Sequence, residues 1–341
     1  MTSRVVRLLR RGRASEIPAG RPFIAGADQK LDRIEFQHLP DEFRPVVRGW
    51  FEGRVGALAL DGSRSVQLPH PAGGRRVLKV KGAGLSGGPV AFGTRHRSGP
   101  IQPIFDYEGR LMEDVAGGHD GAFRGGASFQ QAANEFRVTA RLSELGYEVI
   151  PCVGYGRIAK GGQSSWFSVF DHEPGLDGET IYPRLPLADW VRLNREIGTL
   201  LFTLAAEHDL IGYCWYAATP DGRFLVRDVH PFRFADPFNM SQISWVMQVA
   251  YAFHIRSNSC RLRAVKWNDP RLPPDLHVWQ YRAFFPEVTE ADHDAFRQDL
   301  VIPYMRGAPA DFSVDRLVAA LRANRITAAL MAACPPRFAR F

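Results

Sequence analysis

Three residues whose types suit polyphosphate chemistry lie far apart in this chain: Lys81 in RRVLKVKGAG, Glu135 in ASFQQAANEFRV and Asp228 in FLVRDVHPF. A lysine offers a compact positive charge to phosphate oxygens, and a glutamate paired with it fixes where that charge sits. An acid that follows a run of apolar and β-branched residues is one a strand can deliver to a metal at its end. Magnesium bridging phosphates takes such hard oxygen ligands. Asp209, in EHDL, is a second acid suited to work as a general base or a metal ligand. Gly82 and Gly84 open the exit from the lysine segment, and Arg124 in FRGGASFQ precedes a flexible loop that enters a helix. There a guanidinium and the helix's free amides would converge on an anion. Each residue also has an ordinary use: Lys81 as an exposed strand lysine, Glu135 as a helix-surface charge, Asp228 as a turn acid and Asp209 as a helix-end loop residue.

The elements that must position these residues follow from periodicity. Val77, Lys79 and Lys81 alternate with Leu78 and Val80, the period of a strand, and the glycines after Lys81 mark its exit into a loop. In SFQQAANEFRVTARLSEL, Ala132, Phe136 and Ala140 recur at helical spacing, with Ser128 as N-cap and Gly146 as stop. GWFEGRVGALALDGSRSVQLPH reads as a hairpin-rich sheet whose glycines from Gly49 to Gly56 serve turns; they match neither G-x-G-x-x-G nor the Walker pattern. YEVIPCVGYGRIA and SSWFSVFDHEPG read as further strands. LADWVRLNREIGTLLFTLAAEHDL is an amphipathic helix with a break expected near Gly198, and IGYCWYAATPDGRFLVRDV is a hairpin around a PDG turn. Helices are expected near ISWVMQVAYAFHI, ADHDAFRQDLVIPYM and VDRLVAALRANRITAALMAA. This order predicts an α+β protein of two lobes with a cleft between them: an N-terminal extension over 1–48, a small mixed sheet with one main helix over 49–174, and a mostly helical lobe over 175–341 that embeds the metal-binding hairpin.

Composition bounds the alternatives. The chain has 341 residues, 45% of them hydrophobic, enough for a sizeable core. No stretch approaches the roughly 20 uninterrupted apolar residues of a membrane span, and the basic N-terminus lacks the apolar run of a signal peptide. A cytoplasmic location is therefore expected. Cys152, Cys214, Cys260 and Cys334 are isolated, without metal-knuckle or disulfide-framework spacing, and Cys214 has no neighbouring cue for thiolate activation. His119, His172 and His230 form no zinc motif. The net charge of +7, from 43 basic and 36 acidic residues, favours anionic partners such as nucleotides, acidic proteins or RNA. Arg95, His96, Arg97 and the basic N-terminus are the features for an RNA-binding or acidic-protein-binding alternative. Such clusters are ordinarily solvated faces, and the stacking signatures of common RNA modules are absent.

Over residues 78–157 the chain resembles the SelO family, a protein-kinase-like branch associated with transfer of AMP from ATP to protein hydroxyls. The resemblance lies in Lys81-Gly82-Ala83-Gly84, in FRGGASFQQAANEF and in LSELGYEVIPCVGYG. It implies a protein-kinase-like two-lobed fold, with Lys81 as the nucleotide-phosphate lysine, Glu135 as its helix partner, Arg124 as a phosphate-contacting loop arginine and Asp228 as the magnesium ligand. Its cofactors would be ATP and magnesium, and its acceptor a protein hydroxyl, with a small alcohol or amine as the other class. The second half departs from the family: no asparagine lies between Asp209 and Asp228, where the second metal ligand is expected. The expectations are therefore an ATP- and magnesium-dependent transferase moving adenylyl or phosphoryl groups, or a nucleotide-binding pseudokinase acting as an interaction module.

Overall fold

A computed structural model describes residues 23–59, 64–85, 88–95, 104–112, 122–173, 176–177, 186–218, 224–267, 275, 278–283, 285–305 and 309–340. The basic N-terminus, His96, Arg97 and His119 lie outside the described residues. The chain is α+β and divides into two compact units that interleave in sequence. The first draws on Met1–Ile101, Ala116–Gly178 and Cys214–Pro231, the second on Gln102–Val115, Glu179–Tyr213 and Phe232–Phe341.

The first unit is built on an antiparallel sheet. Its strands are β1 (Phe23–Ile24), β2 (Arg33–Gln37), β3 (Ala57–Ala59), β4 (Ser65–Pro69), β5 (Val77–Lys81), and, after the short ribbon of β6 (Ala91–Arg95) and β7 (Phe123–Arg124), β8 (Cys152–Lys160) and β9 (Gln163–His172). The sheet order is β1-β3-β4-β5-β9-β8-β2. Sequence-adjacent strands therefore pair as hairpins except at β1–β3, β5–β9 and β8–β2, and the lysine strand β5 lies between β4 and β9. The period-2 pattern of β5 explains its place: Leu78 and Val80 are fully buried with Trp50, Phe51, Phe167 and Val169, while Lys79 and Lys81 face the other side. Arg33–Gln37 pairs along its length with Tyr155–Ala159, so part of the expected N-terminal extension is an edge strand of the sheet.

Two differences from the sequence reading have identifiable causes. Arg44–Phe51 is a helix, α1, with Pro45 in its first turn and Val47, Trp50 and Phe51 buried. Gly49 thus serves helix packing rather than a hairpin turn, since a Cβ there would stand 2.5 Å from Val55 Cγ2. The hairpin that carries Asp228 also groups with the first unit instead of the helical lobe. Its strands β11 (Trp215–Ala218) and β12 (Phe224–Arg227) form a three-stranded sheet with β10 (Leu176–Asp177). A parallel bridge joins Val149 to Val226, with Ile150 N–H donating to Val226 O at 2.9 Å and Val226 N–H to Glu148 O at 2.9 Å.

A second helix of the first unit, α2 (Phe129–Glu144), begins at Ser128, whose Oγ accepts from Gln131 N–H at 3.1 Å, and ends before Gly146 at φ +81°. It carries Glu135 on its buried face.

The second unit is mainly helical. Among the described residues its helices are α3 (Leu187–Glu207), α4 (Gln242–Trp267), α5 (Glu290–Phe296), α6 (Ile302–Met305), α7 (Val314–Ala323) and α8 (Arg325–Ala333). Helix α3 runs unbroken through Gly198, where a Cβ would lie 2.1 Å from Gln280 O; the glycine permits close approach instead of a break. A π-helical turn, Arg297–Val301, joins α5 to α6. The single helix expected over 314–333 is two, because Asn324 leaves helical geometry and its Oδ1 accepts from Ile326 N–H and Thr327 N–H at 3.0 and 3.3 Å. Among the described residues, no helix is long and apolar enough to cross a membrane.

Candidate functional site

Lys81 is the last residue of β5, and three elements of the first unit converge on its ammonium. Nζ lies 2.5 Å from Glu135 Oε1 on α2, 2.7 Å from Asp228 Oδ1 just beyond β12, and 3.4 Å from His230 Nδ1. The imidazole Nδ1 is itself 3.2 Å from Glu135 Oε1. Glu135 is wholly buried and Lys81 nearly so, whereas the Asp228 side chain is 21% exposed, so the cluster opens on the aspartate side.

Each member is held by its element. Helix α2 is tied to β8 through Thr139, whose hydroxyl donates to Glu135 O at 2.7 Å and accepts from Cys152 N–H at 3.2 Å. Asp228 sits in the left-handed region at φ +53°, which turns the chain so that His230 returns to α2, where Asn134 Nδ2 donates to His230 O at 3.3 Å. Aspartate adopts that conformation more readily than most residues, and such backbone is found where surrounding structure over-determines it.

The glycines after Lys81 pack against the loop that enters α2. Gly82 N–H donates to Arg64 O at 2.9 Å and Gly84 N–H to Gly125 O at 3.0 Å. Gly82, Gly84 and Gly125 have φ of +90°, +119° and +85°. A Cβ would meet Trp166 O at 2.6 Å from Gly82 and Gly88 O at 1.5 Å from Gly84, so neither position admits a side chain. Arg64 closes the same turn from its side chain, with Nη1 donating to Gly126 O at 2.7 Å and Gln131 Oε1 at 2.9 Å.

The electrostatics are those of a cationic cluster around two ionised acids. Burial pushes the Glu135 carboxyl up, but Lys81 and the His230 hydrogen bond outweigh it and hold the group at about 2. Burial likewise opposes ionisation of Asp228, and Lys81, Arg227 and Lys79 together keep it well below the ordinary carboxylate range. Arg227 Nε lies 3.3 Å from Asp228 Oδ2. Burial lowers His230, reinforced by Lys81, so its imidazole is neutral at ordinary pH. Burial also lowers Lys79 to about 8 and Arg64 to about 10, while both feel the two carboxylates. Four basic side chains, Lys79, Lys81, Arg64 and Arg227, therefore surround Glu135 and Asp228. That surplus suits an anion able to accept several N–H bonds.

Of the residues singled out from sequence, Lys81, Glu135 and Asp228 come together, and Gly82 and Gly84 shape the turn beside them. Arg124 is exposed on the β6–β7 ribbon, in register with Ala91, and its side chain makes no hydrogen bond or ion pair among the described residues. Asp209 belongs to the second unit, where Arg337 Nε donates to its Oδ1 at 2.7 Å and Arg337 Nη2 to Ala206 O at 3.1 Å. Among the described residues, no group of three or more His, Cys, Asp or Glu side chains is placed to hold a metal. Asp228 offers one hard carboxylate, which fits magnesium only in the mode where phosphates and water fill the other positions. His230, Arg64 and Lys79 were missed. A signal existed for Lys79, two residues before Lys81 on one strand face, and for His230, two residues after the acid; none distinguished Arg64 from a turn arginine.

Comparison with protein-family models and with curated proteins gives no match, so the SelO resemblance over 78–157 has no counterpart there. Among solved structures, the chain is similar to "WaaP in complex with acyl carrier protein", at 14% identity and a TM-score of 0.33, over 76% of this chain and 86% of that one.

Proposed function

We propose that the protein binds a magnesium–nucleotide polyphosphate, ATP in the first instance, and acts as a kinase-like transferase. The observation that supports this reading is the single ammonium of Lys81 gripping a buried helix glutamate at 2.5 Å and a mostly buried strand-end aspartate at 2.7 Å. Such an arrangement fixes a positive charge where phosphate oxygens would lie and sets a carboxylate beside it for the ion that bridges them. Glu135 holds Lys81, and Lys81 neutralises phosphate charge. Asp228 would exchange part of its contact with Lys81 for magnesium, which supplies charge stabilisation when bound. Catalysis would rest on positioning and on stabilising charge that develops at phosphorus. The transferred group is adenylyl or phosphoryl, and the acceptor a protein hydroxyl or a small alcohol or amine.

The test uses purified full-length chain, magnesium, candidate acceptor proteins, and ATP labelled separately at the α and γ phosphates. Label retained only from α supports adenylyl transfer, and label only from γ supports phosphoryl transfer. Absence of ATP binding by calorimetry overturns the reading.

A second reading, a nucleotide-binding module without transfer, is favoured by Asp209. The acid expected to orient an acceptor hydroxyl is engaged by Arg337. Nucleotide binding that Lys81→Ala abolishes, with no label transferred, would select it.

A further inference from the structure

Lys81 has three N–H bonds to give. Glu135 Oε1 and Asp228 Oδ1, at 2.5 and 2.7 Å, take two of them. The fate of the third depends on His230, whose Nδ1 stands 3.4 Å from Lys81 Nζ and 3.2 Å from Glu135 Oε1. A neutral ring nitrogen either donates or accepts. If Nδ1 lacked a proton, its lone pair would face a carboxylate oxygen, acceptor against acceptor, inside a buried cluster. With the proton on Nδ1, the imidazole donates to Glu135 and has nothing at that atom for Lys81 to donate to. The network thus assigns the Nδ1–H tautomer.

Resting on the nucleotide reading above, we infer that His230 is a positioning residue, which occupies Glu135 Oε1 and so keeps one N–H of Lys81 free for the bound polyphosphate. Glu135 Oε2 is buried and has no hydrogen-bond partner among the described residues. The imidazole bond to Oε1, alongside the one from Lys81, holds the carboxylate in the orientation that keeps Oε2 off the ammonium. Without it, Glu135 can turn both oxygens to Lys81 and draw the remaining donor away from the ligand. The geometry that brings His230 there is built in twice: the left-handed turn at Asp228 and the bond from Asn134, one residue before Glu135 on α2, to His230 O.

The experiment compares wild-type full chain with His230→Ala, His230→Asn and His230→Gln. Asparagine carries an N–H near the position of Nδ1, whereas the glutamine amide lies one bond further out. MgATP affinity is measured by calorimetry, melting temperature is followed in parallel, and crystal structures are determined for wild type and the alanine variant. Loss of a hydrogen bond to a charged group predicts binding about tenfold weaker for His230→Ala, recovery to within about threefold for His230→Asn, and no recovery for His230→Gln. In the alanine variant both Glu135 oxygens should contact Lys81. The inference is overturned if asparagine rescues no better than glutamine, if affinity only follows melting temperature, or if Glu135 keeps its orientation without the imidazole. Should wild type bind no MgATP, the transferase reading fails, and the crystal comparison alone decides the role of His230.

Discussion

Lys81 and Glu135 illustrate why a buried ion pair must be judged by what is left when one partner goes. Removing one charge from a buried pair costs about 3–5 kcal/mol, chiefly because the other stays desolvated and unpaired. Lys81→Met strands Glu135, wholly buried on α2. Urea denaturation should show a loss in that range, of which the double substitution Lys81→Met/Glu135→Leu recovers at least half. A further consequence concerns acid. Glu135 is held at about 2, below its ordinary 4.5, and Asp228 well below its ordinary 3.8. Each therefore contributes stability that is present above its unfolded value and is lost as pH falls through the folded one. Stability measured from pH 5 to pH 2 should fall steeply in wild type and less steeply in Glu135→Gln; equal slopes would mean the carboxylate is not held by its neighbours. At this scale the sequence was informative about residue type and poor about partnership. Lys81, Glu135 and Asp228 stand out because their chemistry is scarce in their settings. Arg124 and Asp209 stand out for the same reason, yet one points to solvent and the other pairs with Arg337. Nothing in a run of residues says which distant side chain will claim an acid.

Local period and turn chemistry made the supporting elements readable. The alternation of Val77–Lys81, the Ser128 cap and the Gly146 stop each report interactions within a few residues, and the corresponding strand and helix have the expected limits. Tertiary contacts overrode such signals elsewhere: Gly49 and Gly198 look like interruptions but lie inside helices that need a missing side chain for close approach. The hairpin bearing Asp228 joined the first unit through backbone bonds between Glu148, Ile150 and Val226, a pairing across more than seventy positions that no local pattern encodes. The same distinction between local and tertiary need predicts a contrast among glycines. Gly146 and Gly84 both have positive φ, but a Cβ at Gly146 meets nothing within 4 Å, whereas at Gly84 it collides with Gly88 O. Gly146→Ala should cost about 1 kcal/mol, the backbone penalty alone, and Gly84→Ala at least ~2 kcal/mol more, from strain added to the collision. Thermal denaturation of the two variants checks the order. Only Gly84→Ala should also weaken MgATP binding, because it displaces the turn that follows Lys81.

On the scale of the whole molecule, interleaving gives the first unit every member of the Lys81 cluster, although three separate stretches of chain supply that unit. Burial, capping and sheet pairing within one unit are then enough to set the distances among Lys81, Glu135, Asp228 and His230. A ligand that binds there should act first on that unit's own opening equilibria. Binding to the native state alone stabilises by about 2.7 kcal/mol when the ligand is at a hundred times its dissociation constant. Local stability varies across a fold, so this gain is read most directly from amide hydrogen exchange. Saturating MgATP should slow exchange in Val77–Lys81, in the glycine turn that follows, in the first two turns of α2 and in Phe224–Arg227. Those elements hold the cluster through β5–β9 pairing, the Ser128 cap and the Val149–Val226 bridge. Protection confined to other segments, with these unchanged, would remove Lys81 and Asp228 from the binding site whatever transfer activity the protein displays.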